Sequence, residues 1–370
     1  MGTGGLSVAK QHAMPRMLPP NQRYITIDEF TLESGETLVN ATVAFTFMGL
    51  LNAARDNAVL VCHALSGSAD VTDWWASLLT QASPALDPAK WCIICCNALG
   101  SPYGSASPLT PRTGKRLYGP DFPKTTIRDD VRIHKQVLDI LGVRSIYCVI
   151  GGSMGGMAAL EWSLLFGKDY VQSMVLIATA ARQSAWGAAW AENQRCTIRC
   201  DPKFCGGHYD VNDPPAAGLA AARMAALLTY RTHQSFEKRF GRHGTSTSSE
   251  AAYLSQSYLQ YQGNKFNTRF DANCYLHILD KIDSHDITRN RYPPGLRKEE
   301  AVGKVLAQIR QPTLVVGIPT DGLYPLCEQY TLYENLPNAA FAQLHSEDGH
   351  DGFLLEAAQL NDLLRSFLGM

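Results

Sequence analysis

The sequence predicts an α/β fold in which helices cover both faces of a mostly parallel sheet and one helical segment is inserted. Continuous apolar runs, typical of parallel strands that are buried on both faces, recur along the first half of the chain. Segments with helical spacing alternate with these runs. From about residue 188 to residue 308 the pattern becomes helical, aromatic and polar, with no convincing parallel strand. We therefore expect a core of residues 23–187 and 309–370, with 188–308 as an inserted helical lid.

The elements can be assigned in chain order. Residues 1–22 are polar and contain prolines, so we expect a loosely ordered segment. The pattern at 24–47 favours antiparallel edge strands, and the later apolar runs favour parallel strands. The expected strands are 24–27, 29–32, 41–47, 59–62, 91–96, 146–150, 173–178 and 312–316, and the expected core helices are 127–141, which ends at Gly142, and 353–368.

Composition excludes several classes of protein. The 370 residues are 45% hydrophobic and 18% charged, which provides for a large core and argues against disorder. With 33 Lys and Arg against 34 Asp and Glu, the net charge is -1, so neither nucleic acid nor an anionic membrane surface is an expected partner. The longest apolar runs are too short to cross a bilayer.

The ten cysteines do not predict a disulfide framework. Half of them lie in apolar, strand-like runs, where thiols pack as small hydrophobic groups, so we expect reduced thiols in a cytoplasmic protein. Cys196, Cys200, Cys205 and His208 fit no standard zinc spacing, so no metal site is predicted. The first acidic residue is Asp28. Because organelle transit segments are poor in acidic residues, a targeting segment at the start of the chain stays an alternative interpretation.

Residues 151–155, GGSMG, follow an apolar strand and precede a helix. Strand, G-x-S-x-G and helix form the nucleophile elbow of α/β-hydrolase-fold enzymes, in which a tight turn exposes the serine. Side chains at Gly151 or Gly155 would collide with the backbone of such a turn. The pattern predicts Ser153 as a nucleophile in an α/β-hydrolase fold; an ordinary strand-to-helix turn is the alternative.

A serine hydroxyl needs a base, and the base needs a partner that fixes its tautomer. In this fold the acid follows a late strand and the histidine precedes the last helix, which selects Asp321 and His350. The competing histidines are His285 and His345, the second of them in an expected strand. The competing carboxylates are Asp348 and Asp351.

Two backbone N–H groups should bind the oxyanion. One belongs to Met154, directly after the nucleophile, and the other to the loop after an early strand, where we expect Leu65. His63 in that loop could be catalytic, but a structural role that supports the loop is the favoured interpretation.

Several segments resemble the homoserine O-acetyltransferase family, and its fungal members most. The resemblance extends from about residue 30 to residue 368. Its motifs are HALSGSAD at 63–70, DWW at 73–75, NALGSPYGS at 97–105, TIRDD at 126–130, GGSMGGM at 151–157, ARM at 222–224, LTYR at 228–231, FEKRFGR at 236–242, SYL at 257–259, FDAN at 270–273 and SHD at 284–286.

The resemblance implies a two-step transfer in which acetyl-CoA acetylates the serine and the hydroxyl of homoserine then takes the acetyl group. It implies that Arg223 binds the carboxylate of homoserine, that Tyr230 lines the pocket and that Asp351 binds the ammonium group. Acetyl-CoA would be a substrate, with no bound cofactor. The family also implies a homodimer that pairs through the lid.

Two departures from the family pattern leave other acceptors open. Ala158 stands where many relatives have a polar residue, and the loop at 241–250 is shorter than the fungal insertions. Serine, a secondary-metabolite alcohol such as deacetylcephalosporin C, or water in an esterase would be alternative acceptors. A non-catalytic binding protein on the same fold is a further alternative.

Overall fold

The computed structural model describes residues 18–112, 116–241, 253–292, 295 and 297–370. Most of the segment expected to be loosely ordered, residues 1–17, lies outside this range. The same is true of residues 242–250 of the polar loop predicted at 241–250.

Eight strands in the described chain form one sheet, and their sequence explains their positions. The apolar runs become the central strands, which are buried on both faces, whereas the strands with polar positions lie at the edges. The strands are β1 (Arg23–Thr31), β2 (Thr37–Met48), β3 (Ala58–Cys62), β4 (Cys92–Cys96), β5 (Ile146–Gly152), β6 (Met174–Ile177), β7 (Thr313–Gly317) and β8 (Ala339–Gln343).

The sheet order is β1-β2-β4-β3-β5-β6-β7-β8. β1 pairs antiparallel with β2, and β2 pairs antiparallel with β4. All further neighbours are parallel, so the expected mostly parallel sheet with an antiparallel edge is confirmed.

The first edge strand differs from the sequence prediction. Residues 24–27 and 29–32 were expected as two strands, but Arg23–Thr31 is one continuous strand. Asp28, which lies between the two expected strands, and its neighbour Glu29 are exposed at the edge of the sheet, where water solvates them without interrupting the ladder.

Helices flank the sheet and fill the segment between β6 and β7. The predicted helix 127–141 is confirmed, and Thr126 and Asp129 form a capping box at its start while Gly142 (φ 78°) ends it. The helices are α1 (Val71–Thr80), α2 (Ile127–Leu141), α3 (Met154–Tyr170), α4 (Ala185–Arg199), α5 (Ala216–Tyr230), α6 (His233–Phe240), α7 (Leu254–Asn267), α8 (Ala272–Asp283), α9 (Lys298–Leu306), α10 (Leu326–Asn335), α11 (Gly352–Leu355) and α12 (Ala357–Phe367).

The inserted segment is helical, but its ends differ from the expected lid at 188–308. It begins with α4 at Ala185, because Ser184 caps that helix by accepting the N–H of Gly187. At the other end, Val302 and Val305 of α9 pack in the apolar cluster that lies beneath the sheet. Since α9 covers the sheet, we call only α4 to α8 the helical insertion.

The sheet separates two apolar clusters. Trp162 of α3 belongs to one cluster and Trp75 of α1 to the other. A third cluster, which includes Tyr275 of α8, fills the space between the core and the helical insertion. No helix in the described part of the chain has the length and apolarity required to cross a membrane.

Candidate active site

Ser153 lies in the tight turn between β5 and α3. Its backbone has φ 57° and ψ -125°, a conformation that non-glycine residues rarely adopt. Such strain persists only where the surroundings enforce it, and it is concentrated at functional sites. The chain therefore adopts the tight, strained turn between strand and helix that was expected around Ser153.

The glycines beside Ser153 are required by close backbone contacts. A Cβ on Gly151 would lie 2.1 Å from the carbonyl oxygen of Gly155, and a Cβ on Gly155 would lie 2.1 Å from the carbonyl oxygen of Cys62. A Cβ at that distance would overlap the carbonyl oxygen, and the overlap could be relieved only by a shift of β3, β5 or α3. The turn is also fixed by the Ser153 N–H, which donates to the Ile177 carbonyl at 2.9 Å.

His350 and Asp321 meet at the same edge of the sheet. Asp321 follows β7, and His350 lies in a 3₁₀ turn, Gly349–Asp351, just before α11. Nδ1 of His350 is 2.7 Å from Oδ2 of Asp321, although 29 residues separate them. The other oxygen of Asp321 accepts the N–H groups of Leu323 and Tyr324 at 2.8 and 2.9 Å. The carboxylate is thus held in place on both sides, and it fixes the histidine ring.

Two opposing effects set the pKa of His350. Burial disfavours the charged ring and lowers the pKa, but the charge and hydrogen bond of Asp321, together with the charge of Asp351, outweigh burial. The pKa therefore lies above the ordinary value for histidine. A base of this kind can take a proton from a hydroxyl and keep it through the next step.

Ser153 and His350 line one cavity of about 100 Å³. This volume can hold a short acyl group, but it is far too small for a whole coenzyme A. Rings of Tyr230, Tyr324 and Phe353 surround the His350 ring with centroids 5.3–5.8 Å away. The His350 ring therefore has aromatic neighbours on several sides.

The loop after β3 brings the peptide between Ala64 and Leu65 to this cavity, which Leu65 lines. The carbonyl of Ala64 accepts Nδ1–H of His63 at 2.8 Å and the N–H of Gly67 at 2.9 Å. In a trans peptide the carbonyl and the following N–H point in opposite directions. Holding the Ala64 carbonyl on the loop side therefore directs the Leu65 N–H away from the loop, as an oxyanion donor requires.

Met154 offers the second N–H group. It is the first residue of α3, so its N–H has no carbonyl partner within the helix. The positive end of the helix dipole adds to its capacity to stabilise a developing negative charge.

His63 has both ring nitrogens engaged with backbone groups. Nδ1 donates to Ala64, and Nε2 accepts the N–H of Ala98 at 3.0 Å. Burial lowers its pKa to about 4, so the ring is neutral. This arrangement favours the structural role over the catalytic one.

The competing histidines are less suitable as bases. His345 is exposed and lies two residues after β8, so the expectation that it sits in a strand is wrong: the strand ends at Gln343. His285 is buried two residues after the end of α8, and burial lowers its pKa to about 4. Neither lines the cavity with Ser153.

The residues expected to bind the acceptor also line the cavity. Arg223 and Tyr230 are contributed by α5, and Asp351 follows His350 directly. Nη1 of Arg223 is buried and has no hydrogen-bond partner within the described structure, while its guanidinium lies 4.9 Å from the centre of the Phe266 ring. A buried nitrogen of a cationic group that lacks a hydrogen-bond partner is costly, so this arrangement suits an anionic ligand.

Asp351 already has a partner. Its Oδ2 lies 2.8 Å from Nε of Arg231, whose Nη1 binds Asp348 at 2.6 Å. Burial raises the pKa of Asp351, while Arg231, His350 and Arg223 oppose that rise. An ammonium group at Asp351 would therefore share the carboxylate with Arg231.

Sequence reasoning missed several residues of the site. Gln183, just before α4, and Trp190 and Gln194 of α4 line the cavity, and Arg231 reaches the turn of His350. The position of Arg231 directly after Tyr230 was a usable signal, whereas nothing in the sequence marked the other three. Within the described residues, no group of three or more His, Cys, Asp or Glu side chains could hold a metal ion.

Comparison with known proteins gives consistent results. A model of the alpha/beta hydrolase fold family matches residues 57–357. The chain is 46% identical to homoserine O-acetyltransferase FUB5 of Gibberella moniliformis, over 98% of this chain and 86% of that protein. It is 45% identical to homoserine O-acetyltransferase of Emericella nidulans, over 94% of this chain and 86% of the relative. Homoserine O-acetyltransferase of Staphylococcus aureus superposes with a TM-score of 0.75 at 30% identity, covering 94% of this chain and 95% of that structure.

Proposed function

The chain belongs to the α/β-hydrolase fold family and, within it, to the homoserine O-acetyltransferases, and from this premise we propose that it transfers acetyl from acetyl-CoA to the hydroxyl of homoserine. The observation that carries the proposal is the 2.7 Å contact between His350 and Asp321 at the cavity that Ser153 lines. These three residues have the chemistry of an acyl-transfer triad.

In the first step, Oγ of Ser153 attacks the thioester carbonyl while Nε2 of His350 takes the hydroxyl proton. The N–H groups of Leu65 and Met154 stabilise the oxyanion. When the tetrahedral intermediate collapses, the C–S bond breaks and His350 gives its proton to the CoA thiolate. Acetyl-Ser153 and free CoA are the products.

In the second step, His350 takes the proton of the homoserine hydroxyl, whose oxygen attacks the acetyl carbonyl. Collapse breaks the bond to Oγ of Ser153, which regains the proton from His350. Arg223 would hold the carboxylate of homoserine and Asp351 its ammonium group. The helical insertion acts as a lid that keeps water away from the acetyl-enzyme until the acceptor arrives.

Intact-protein mass measurement tests this sequence of events. Acetyl-CoA alone should add one acetyl group to the wild type, and homoserine should then remove it as O-acetylhomoserine. Ser153→Ala should remain unmodified. Removal of the acetyl group by water alone would instead favour an esterase, and removal only by serine or another alcohol would change the acceptor. A wild type that is never acetylated would contradict the mechanism.

Arg223 provides a test of the acceptor site. Arg223→Met should raise KM for homoserine roughly 10- to 100-fold, because a charge-assisted hydrogen bond to its carboxylate is lost. Acylation by acetyl-CoA should change little. Arg269→Met is the matched control, since Arg269 also approaches the Phe266 ring but does not line the cavity. An unchanged KM in Arg223→Met would contradict the assignment of the carboxylate site.

The homodimer and the cytoplasmic location remain predictions from the sequence. Light scattering during gel filtration tests the first, since it gives the mass of the assembly in solution. Imaging of the tagged full-length chain in cells tests the second.

A further inference from the structure

Lys281 of α8 is a buried lysine that the mechanism above does not use. Its side chain has no exposed surface, and that of Asp130 on α2 is 6% exposed. Nζ of Lys281 lies 2.5 Å from Oδ2 of Asp130 and donates to the carbonyl of Leu99 at 2.7 Å. Oδ1 of Asp130 accepts the N–H of Leu99 at 2.9 Å. The pair therefore holds both backbone polar groups of one residue.

The held residue leads directly to the oxyanion loop. Ala98, the neighbour of Leu99, donates its N–H to Nε2 of His63. The other nitrogen of His63 donates to the carbonyl of Ala64, which belongs to the same peptide as the Leu65 N–H. An unbroken series of hydrogen bonds and peptide links thus runs from the helical insertion to the proposed oxyanion donor.

We propose that Lys281, together with Asp130, is a positioning pair that holds the Leu65 N–H in its oxyanion-binding orientation by way of Leu99, Ala98 and His63. The pair couples the placement of α8 to the competence of the oxyanion hole. This inference rests on the proposed function, since it assigns a role within that reaction.

The energetics of the pair are consistent with a specific role. Burying two opposite charges gains little over apolar residues of similar volume, so stability alone does not explain the pair. Nε2 of His63 accepts the N–H of Ala98 only while it is unprotonated, and burial is the main cause of the lowered pKa of His63. The charges of the pair do not add to this effect, because Asp130, which raises that pKa, contributes more than Lys281, which lowers it. The pair therefore acts on His63 through position and not through charge.

The test compares the full chain with Lys281→Met, Lys281→Met/Asp130→Asn and Arg291→Met. Two readouts are used: acylation of Ser153 by p-nitrophenyl acetate, and binding of methylboronic acid, which forms a tetrahedral adduct with a serine hydroxyl and places an oxygen in the oxyanion hole. Arg291→Met is the control, because Arg291 makes another buried ion pair, with Glu161, that does not reach the oxyanion loop.

Lys281→Met should lose roughly 10- to 100-fold in acylation rate and in boronate affinity, because a small displacement of an oxyanion donor has effects of that size. The midpoint of the pH–rate profile should not move, since His350 is unaffected. If Lys281→Met fails to fold, the double variant tests the proposal instead, because it leaves no unpaired buried charge. The double variant should fold and still lose both acylation rate and boronate affinity.

Three results would overturn the inference. They are wild-type boronate affinity in Lys281→Met, recovery of wild-type rates in the double variant, and an equal loss of boronate affinity in Arg291→Met, which would indicate general loosening. Failure of the proposed function is distinguishable: the wild type would bind boronate but transfer no acetyl group to homoserine.

Discussion

Two buried histidines near one cavity have opposite properties because their partners differ. His350 faces the carboxylate of Asp321, which raises its pKa in spite of burial. His63 faces backbone groups, so burial dominates and lowers its pKa to about 4. The protonated form of the first ring is therefore stabilised, whereas the second ring stays neutral. These opposite shifts fit the roles proposed for the two histidines, a base at position 350 and a fixed support at position 63.

The raised pKa of His350 predicts the pH dependence of acylation. Only the neutral ring can accept the serine proton, so kcat/KM for acetyl-CoA should rise with pH with a midpoint above about 6.5. Asp321→Asn removes the carboxylate that raises the pKa of His350 but leaves the burial that lowers it, so the midpoint of the variant's profile should fall below about 6.5. The acylation rate should also fall roughly 10⁴-fold, because the carboxylate fixes the tautomer of the ring. Stopped-flow measurement of CoA release across pH checks both.

His345→Ala is the matched control for this profile, because His345 is exposed and lies outside the cavity. It should leave midpoint and rate unchanged. A wild-type midpoint below the ordinary histidine value would contradict the assignment of His350 as the base.

At the scale of the element, the elbow depends on close contact between β3, β5 and α3. Gly155 of α3 packs against the carbonyl of Cys62, the last residue of β3, and the oxyanion loop begins one residue later. The helix start that carries Met154 and the loop that carries Leu65 are therefore in direct contact. This contact sets the distance between the two proposed oxyanion donors.

Gly155→Ala should disrupt this contact. The new Cβ would lie 2.1 Å from the Cys62 carbonyl oxygen, so strand or helix must shift, at a cost of about 1–3 kcal/mol in the free energy of unfolding. The acylation rate should fall as well, because the same shift displaces the proposed oxyanion donors. Urea unfolding and the acylation rate measure the two effects. Gly322→Ala, where a Cβ meets nothing within 4 Å, should change stability by less than about 0.5 kcal/mol. Equal behaviour of the two variants would contradict the packing argument.

Sequence patterns predicted this architecture where the signals are local. Helix 127–141 was predicted because its apolar spacing ends at a glycine, and the elbow because a tight turn demands glycines around Ser153. The sequence analysis began the lid at about residue 188, and the first helix of that region, α4, begins at Ala185 because Ser184 caps it. The contact of Lys281 with Asp130 was beyond prediction, since 151 residues separate them and only the fold joins them.

At the scale of the whole molecule, a buried charged cluster ties the insertion to the core. Glu161 of α3 binds Arg128 of α2 at 3.0 Å and Arg291, which follows the insertion, at 2.6 Å. Glu33 from the β1–β2 turn binds Arg128 and Arg289. Burial acts to raise the pKa of Glu33, but Thr126 and the two arginines lower it overall. Its stabilising contribution is therefore present above the unfolded-state pKa and is lost as pH falls through the folded-state pKa.

Glu161→Gln should destabilise the whole protein. Two arginines would be left around an uncharged amide in a site that is 1% exposed, which costs about 3–5 kcal/mol. Thermal unfolding should show a clear fall in Tm, while the folded fraction keeps its acylation rate. Glu300→Gln breaks an exposed pair with Lys304 and should cost less than about 0.5 kcal/mol. A Tm for Glu161→Gln that matches the control would show that the cluster contributes little.

The unsatisfied nitrogen of Arg223 has a practical consequence. A buried nitrogen without a hydrogen-bond partner makes the empty protein less stable than the occupied one, so any small carboxylate that binds there should stabilise the fold by an amount that grows with the logarithm of its concentration over Kd. Melting-temperature shifts on Ser153→Ala, which cannot turn over, would rank amino acids by their affinity for the proposed acceptor site. An amino acid that binds there but accepts no acetyl group from the wild type would be a competitive inhibitor.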